Sequence, residues 1–208
     1  MVIIEPHGDD AILSCSSVLS KASLVVTVFK DRPSEGLKKY FPNLDFVCLG
    51  FSYTDVTQYP ERMKPALVCE LIKNGINPNK VSSEALMKKD AAMIEAMSSG
   101  LRKHIKSNDL VYSILGIWHP HHIIARLAAS EISNNTVYYS EPSARFKRVG
   151  QLMERAAMDA VGITETKQLR VHPDKLDIFK KVYPTETYLI RGKDLESDYM
   201  QSEVFWKC

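Results

Sequence analysis

Two short segments of the sequence concentrate side chains that bind metal ions or transfer protons. The first spans residues 5–10 and the second spans residues 116–122, and together they hold four of the six histidines of the chain. The residues with this chemistry are His7, Asp9, Asp10, His119, His121 and His122. Neutral imidazole and carboxylate groups are the usual protein ligands of zinc. The two segments therefore predict a metal site with a proton-transferring carboxylate beside it.

The number of candidate ligands fits a catalytic zinc site. Catalytic zinc takes three protein ligands and leaves one position for water, and two ligands from the first segment plus one from the second satisfy that count. A structural interpretation stays open beside it, because an aspartate at a helix N-terminus caps the helix and stabilises it by about 1 kcal/mol. The two remaining histidines are not predicted to belong to the site. His104 is expected to lie on a helix surface, and His172 is expected to be a structural or capping residue.

Each segment lies between an apolar run and a helix-like pattern. The run Val2–Ile4 precedes the first segment and Leu110–Leu115 precedes the second. Short apolar runs bounded by turn residues are typical of buried strands. In open α/β sheets, ligands bind in the crevice outside the carboxyl ends of the strands. We therefore expect the two segments to face each other across one crevice.

The remaining pattern predicts an α/β protein: a single Rossmann-like domain over residues 1–208, with a mostly parallel sheet flanked by helices. A helix from Ala11 to about Lys21 and a strand at Leu24–Phe29 complete a βαβ unit with the first strand. Residues 30–43 predict a loop, and residues 59–80 predict a lid or specificity insertion. Further predicted elements are strands at 45–50, 110–115 and 137–140, helices at 82–105, 123–132, 151–160 and 175–182, and a strand or extended segment at 187–190.

The composition points away from nucleic acids and membranes. The chain is 45% hydrophobic and 25% charged with a net charge of +2, so no nucleic-acid partner is expected. No apolar run approaches the ~20 residues of a membrane span, and no signal-peptide pattern is present. The four cysteines are scattered, and Cys15 and Cys48 are predicted to be small core residues. We expect a cytoplasmic protein, and the sequence carries no signal for an oligomeric state.

The two histidine segments resemble the motifs of the PIG-L/LmbE family of zinc-dependent de-N-acetylases. The first motif of that family is usually His-Pro-Asp-Asp-Glu and the second is usually His-Pro-Asp-His. Here residues 7–11 read His-Gly-Asp-Asp-Ala and residues 119–122 read His-Pro-His-His. Weaker similarities lie at residues 137–142 and 180–183. The resemblance spans most of the chain, but only the two histidine motifs are specific.

The resemblance implies a hydrolase that removes an acetyl or other acyl group from an N-acetyl amino sugar, such as N-acetylglucosamine, or from a related small N-acyl compound. One Zn²⁺ per chain, or another divalent metal, would be held by His7, Asp10 and His122. Asp9 would be the general base that acts on a metal-activated water. His119 would stabilise the oxyanion, a contribution commonly worth about 3 kcal/mol.

Three positions depart from the family motifs. Gly8 replaces a proline and Ala11 replaces a glutamate, and both changes leave the implied ligands intact. His121 replaces an aspartate that is thought to orient and charge the neighbouring catalytic histidine. Since a histidine supplies no negative charge, we expect the His119 imidazolium to be less stabilised unless another carboxylate takes over. A swap of roles, with His121 as ligand or as donor to a substrate oxygen, stays open.

The substrate is less well indicated than the chemistry. Asp55 follows a predicted strand on the same sheet edge as the histidine segments, and Arg145 lies in a basic turn after another strand, so both are candidate substrate contacts together with His121. The predicted partner is a small-molecule or glycan substrate, and shortened loops would leave an open site for a large one, such as a glycan, a glycolipid head group or a modified polymer. The alternative function is a catalytically weak relative that binds a sugar-like or nucleotide-like ligand in the same crevice.

Overall fold

The computed structural model describes residues 1–30, 34–52, 63–141, 148–190 and 202–208. These residues form a seven-stranded sheet with helices on both faces. The strands are β1 (Val2–Glu5), β2 (Leu24–Phe29), β3 (Asp45–Phe51), β4 (Val111–Ile114), β5 (Thr136–Tyr139), β6 (Glu165–Arg170) and β7 (Ser202–Lys207). The α-helices are α1 (Asp10–Leu19), α2 (Pro65–Lys73), α3 (Pro78–Lys89), α4 (Ala91–Arg102), α5 (Pro120–Ser130), α6 (Arg148–Val161) and α7 (Lys175–Val182). Two 3₁₀ helices span Glu35–Lys39 and Pro184–Ile190.

The strand order is β3-β2-β1-β4-β5-β7-β6. The first five strands pair in parallel, and β7 runs antiparallel to both β5 and β6. The chain therefore builds outward from β1 in one direction and then returns to add β4 on the other side of β1. This reversal is the topological switch point of doubly wound α/β sheets, where ligands bind. The prediction of a mostly parallel sheet flanked by helices is confirmed.

Alternating side chains of β1 belong to two different cores. Ile3 packs with α1 and α7 on one face, while Val2 and Ile4 pack with α4 and α5 on the other. All four residues of β1 are buried, and burial on both faces explains why Val2, Ile3 and Ile4 are apolar without alternation. A third cluster joins Val68 of α2 and Met153 of α6 to β5 and β7.

A buried carboxylate from β7 braces a kink in α1. Cys15 has non-helical φ and ψ angles of −130° and 16°, so α1 consists of two short helical pieces. The amides of Ser16 and Ser17 begin the second piece, and they donate to the two carboxylate oxygens of Glu203, each at 2.9 Å. Lys175 of α7 donates to the same carboxylate at 2.9 Å, and both charged side chains are almost fully buried. This contact ties β7 and α7 to the helix that follows the first histidine segment.

Several boundaries differ from the sequence prediction. The predicted helix at 82–105 is two helices, because Asp90 leaves helical geometry with φ −115° and ψ 23°. The predicted strand or extended segment at 187–190 is wrong, since these residues belong to a 3₁₀ helix. β6 and β7 were not predicted, and most side chains of β6 are polar and exposed. The predicted insertion at 59–80 contains α2, and the predicted loop at 30–43 contains a 3₁₀ turn.

Two further expectations concern burial and membranes. Cys15 is buried as predicted, but Cys48 is exposed because β3 lies at the edge of the sheet. Among the described residues, no helix has both the length and the apolar character that crossing a bilayer requires.

Candidate functional site

The two histidine segments meet at the carboxyl ends of β1 and β4. These strands are direct neighbours, with Val2 beside Val111 and Ile4 beside Ser113. The turns that follow them must therefore lie side by side. The ring centroid of His7 lies 5.9, 5.3 and 5.5 Å from the ring centroids of the second segment, in the order His119, His121 and His122. The prediction that the two segments share one crevice is confirmed.

Three of the four histidines form a group that could hold a metal ion. The ligand atoms of His7, His119 and His121 all lie within 4.8 Å of one another. Nε2 of His7 is 3.4 Å from Nδ1 of His121. Two nitrogens that bind one tetrahedral zinc at about 2.0–2.1 Å are separated by roughly 3.3–3.4 Å. This pair of nitrogens therefore already has the spacing that zinc requires.

The fourth histidine lies between two carboxylates. Nε2 of His122 is 3.6 Å from Oδ2 of Asp10, and its Nδ1 contacts Oε1 of Glu141. The same Asp10 oxygen accepts a hydrogen bond of 2.9 Å from the backbone N–H of His7. A carboxylate on one nitrogen of an imidazole orients the other nitrogen toward a metal. Asp10 and His122 thus lie beside the histidine group, and the set His7, Asp10 and His122 stays a prediction next to the three-histidine group.

The capping interpretation fits His119 but does not fit Asp9. Asp9 is the N-cap residue of α1, yet its side chain makes no capping hydrogen bond, and it is 2% exposed. His119 is the N-cap residue of α5, and its Nδ1 accepts a hydrogen bond of 3.3 Å from the backbone N–H of His121. Because Nδ1 is the acceptor, a neutral His119 ring carries its proton on Nε2.

Burial dominates the electrostatics of the site. Desolvation raises the pKa of Glu5 from 4.5 to about 8 and, with repulsion from Asp9, raises the pKa of Asp10 well above its ordinary value. Desolvation, followed by the charge of His122, lowers the pKa of His119 to about 2. Glu141 acts in the opposite direction without reversing the shift. The shift has the direction expected for His119 with a histidine at position 121, but burial is its largest cause and His121 contributes less than His122.

Side chains to which the sequence analysis assigned no individual role support both turns. Glu5 accepts hydrogen bonds from the backbone N–H of Ala11 at 2.8 Å and from the Thr27 hydroxyl at 2.7 Å. Tyr183, from the end of α7, donates to the backbone oxygen of Gly8. Glu5 and Glu141 were detectable as carboxylates at the ends of apolar strands. The Tyr183 contact joins residues 175 positions apart, and no local pattern signals it.

The other predicted residues have four separate outcomes. Asp55 and Arg145 lie outside the described residues. His121 is half-buried, and its ring lies 4.8 Å from the Phe29 ring. His104 is exposed as predicted. His172 lies just before α7, and its Nδ1 accepts a hydrogen bond from the backbone N–H of Asp174, the N-cap residue of that helix.

Comparison with known proteins supports the fold. No protein-family model and no curated protein matches the chain. The zinc-inhibited form of the teicoplanin deacetylase Orf2 has a similar structure, with a TM-score of 0.59 and 15% identity over 99% of this chain and 96% of its own. The A40926 pseudoaglycone deacetylase Dbv21 matches with a TM-score of 0.51 and 16% identity, over 99% and 95%. At these identities the similarity establishes a shared fold.

Proposed function

We propose that the chain is a zinc-dependent N-deacetylase of the PIG-L/LmbE type. The observation that carries this proposal is the convergence of four histidines and buried carboxylates at the switch point of the sheet. Carboxylates that are buried beside one another carry an electrostatic cost, which a bound divalent cation offsets. The donor set of imidazole and carboxylate groups suits zinc, and other divalent metals are possible.

His7, Asp10 and His122 would hold the metal, as the resemblance implies. A bound zinc lowers the pKa of a water molecule toward neutrality and polarises an amide carbonyl. The Glu141 carboxylate contacts Nδ1 of His122 and would orient this ring. Nε2 of His122 would then face Asp10 and the metal.

His119 suits the role of oxyanion donor better than the role of ligand. Its Nδ1 is occupied by the backbone N–H of His121, so its Nε2 carries the proton and has no lone pair for a metal. The Nε2–H group can donate to an oxygen that gains negative charge in the transition state. In this assignment His121, with Nδ1 close to Nε2 of His7, is the alternative fourth ligand or a substrate donor.

Asp9 would be the general base. It would accept a proton from the attacking water and pass it to the leaving amine, so that the products are a free amine and acetate. Its side chain makes no helix-capping hydrogen bond and is buried next to Asp10, beside the two histidine turns.

The substrate proposed is an N-acetyl amino sugar or a sugar-bearing molecule such as a glycopeptide. The two structural neighbours named above are deacetylases of teicoplanin and of the A40926 pseudoaglycone, which supports this class. Their fold similarity covers nearly the whole of both chains. No disulfide joins the four cysteines, all of which lie in the described residues, and this supports the proposal of a reducing, cytoplasmic location.

Metal analysis beside an amine-release assay tests the proposal. The parent, Asp10→Ala and His121→Ala proteins would be loaded with zinc, and each would be assayed on a panel of N-acetyl sugars. His104→Ala, at an exposed histidine, serves as the matched control. We expect about one zinc in the parent, the control and His121→Ala, and loss of zinc and amine release in Asp10→Ala.

The other outcomes are equally decisive. Loss of zinc in His121→Ala but not in Asp10→Ala would assign the metal to the three-histidine group. Zinc binding without amine release from any substrate would favour the alternative of a ligand-binding relative. A parent that binds no zinc would overturn the proposed function.

A further inference from the structure

The loop that carries the second histidine segment is held by one buried side chain from another helix. Residues 115–118 form neither helix nor strand. The backbone oxygens of Gly116 and Ile117 accept hydrogen bonds of 2.9 and 3.1 Å from Nδ2 of Asn79. Asn79 lies in the first turn of α3 and is fully buried. A buried backbone oxygen needs a donor, and one amide group supplies donors to both of these oxygens.

A buried arginine fixes the orientation of this amide. Nη2 of Arg126 donates to Oδ1 of Asn79 at 3.3 Å and to Oγ of Ser83 at 2.7 Å. A guanidinium has no acceptor, so the oxygen of the Asn79 amide must face Arg126 and its NH₂ group must face the loop. Arg126 is 5% exposed and lies on α5, one helical turn after His122.

The loop has little room to move without moving the histidines. Gly116 has a φ of +65°, and a Cβ atom there would lie 2.7 Å from the backbone oxygen of His122 and 2.8 Å from Cα of Ile123. The loop is therefore folded tightly against the first turn of α5. A shift of the two carbonyl groups that Asn79 holds would be transmitted directly to His119 and His121.

We propose that Asn79 is a positioning residue for the histidine turn. It acts through the carbonyl groups of Gly116 and Ile117, and it directs His119 and His121 toward His7 before a metal or substrate binds. The part of this inference that concerns metal affinity rests on the proposed function. The part that concerns ring positions does not.

Asn79→Asp separates this role from general stability. Aspartate has nearly the same shape and still accepts from Arg126, where the opposite charges strengthen the contact. It cannot donate to the two carbonyl groups. Asn77→Ala is the matched control, because Asn77 caps the same helix through the amides of Asn79 and Lys80 and also donates to the backbone oxygen of Ala156.

The primary measurement is NMR of the histidine rings in the metal-free protein, with His104 and His172 as internal references. We expect Asn79→Asp to shift the ring signals of His119 and His121 and to leave the reference signals in place. Asn77→Ala should leave all six histidines unchanged. Unchanged His119 and His121 signals in Asn79→Asp, or equal shifts in Asn77→Ala, would overturn the proposal.

The second measurement is the zinc dissociation constant by competition with a chromophoric chelator. The loop that Asn79 holds lies against the backbone of His122, a proposed zinc ligand. Loss of an outer contact to a metal site typically weakens binding 10- to 100-fold, and we expect a weakening in this range for Asn79→Asp and less than 2-fold for Asn77→Ala. Equal zinc affinity in Asn79→Asp and the parent would contradict the link to the metal. A parent without zinc affinity would overturn the proposed function, while the ring signals would still decide the role of Asn79.

Discussion

The chemistry of the histidine cluster depends on which ring nitrogens carry protons. His119 accepts a backbone hydrogen bond at Nδ1, and His122 contacts a carboxylate at each nitrogen. These contacts favour different tautomers in two rings three positions apart: His119 presents an N–H group at Nε2, and His122 presents a lone pair oriented by Glu141. Neither contact involves the side chain of His121.

Replacement of His119 by asparagine should withdraw the oxyanion donor while it preserves the helix, because the shorter side chain can cap with its oxygen but its NH₂ group does not reach the position of Nε2. Asparagine is a favourable N-cap residue, so we expect the free energy of unfolding of His119→Asn to stay within about 0.5 kcal/mol of the parent. Loss of one oxyanion donor costs roughly 100- to 1000-fold in kcat. Steady-state kinetics with zinc analysis measures both effects. Loss of zinc from His119→Asn would show that His119 is a ligand, which contradicts the assignment made here.

At the scale of elements, each histidine turn is held by a side chain that is remote in sequence. Tyr183 from α7 holds the first turn through Gly8, and Asn79 from α3 holds the second through Gly116. Burial, with a smaller contribution from Glu5, raises the pKa of Tyr183, so its hydroxyl remains a donor. The parallel strands bring the turns together, and these two contacts set their final orientation.

Gly116→Ala should lower the free energy of unfolding more than the same substitution at another glycine with a similar positive φ. Both Gly116 (φ +65°) and Gly75 (φ +71°) lie in the left-handed region, where replacing glycine costs about 1 kcal/mol. Only at Gly116 does the new Cβ meet backbone atoms below 3.0 Å, while nothing lies within 4 Å at Gly75. We expect Gly116→Ala to lose about 2 kcal/mol or more and Gly75→Ala to lose about 1 kcal/mol. Urea unfolding measures both, and equal losses would contradict the tight packing at Gly116.

The elements that position the site could be predicted because their patterns are local. The apolar runs of β1 and β4 and the helix-like patterns after them identify the strands, and the strand order then fixes the position of the turns. The sequence did not predict β6, because most of its side chains are polar and exposed and it therefore has no apolar run. The contacts of Asn79, Tyr183 and Glu203 join residues 37, 175 and 187 positions apart. Only the folded structure reveals pairings of that kind.

At the scale of the whole molecule, the site concentrates buried acid groups near the centre of the sheet. Glu5 is fully buried, and its carboxylate accepts hydrogen bonds at both oxygens. Asp10 is the first residue of α1, five positions after Glu5, and burial also raises its pKa. Both groups bind protons more tightly in the folded state than in the unfolded state. The pH dependence of stability therefore reports on the site as a whole.

The metal-free protein should lose stability as the pH rises from about 4.5 to about 8. In this window a Glu5 with a pKa of about 8 keeps its proton in the folded state, while the unfolded chain has released it. The unfolded state then binds fewer protons, and stability falls by up to about 1.4 kcal/mol per pH unit for each such group. Urea unfolding with a chelator present, at pH 5 to 8, measures this slope.

A matched pair of variants tests the source of that slope. Glu5→Gln removes the titrating group and should flatten the decline, and the surface variant Glu95→Gln should retain the slope of the parent. A decline of the same size in Glu5→Gln would assign the effect to Asp10 or to other groups.

The brace between Glu203 and α1 also constrains the order in which the protein folds. Ser16 and Glu203 are 187 positions apart, and closing a loop of that length carries a large entropic cost that slows formation of the contact. The βαβ unit of β1, α1 and β2 can form early from neighbouring residues, but the second half of α1 lacks its carboxylate partner until β7 enters the sheet. We therefore expect a refolding intermediate in which the parallel strands are protected from hydrogen exchange while the amides of Ser16 and Ser17 still exchange. The first histidine turn would reach its final geometry only in the last step of folding.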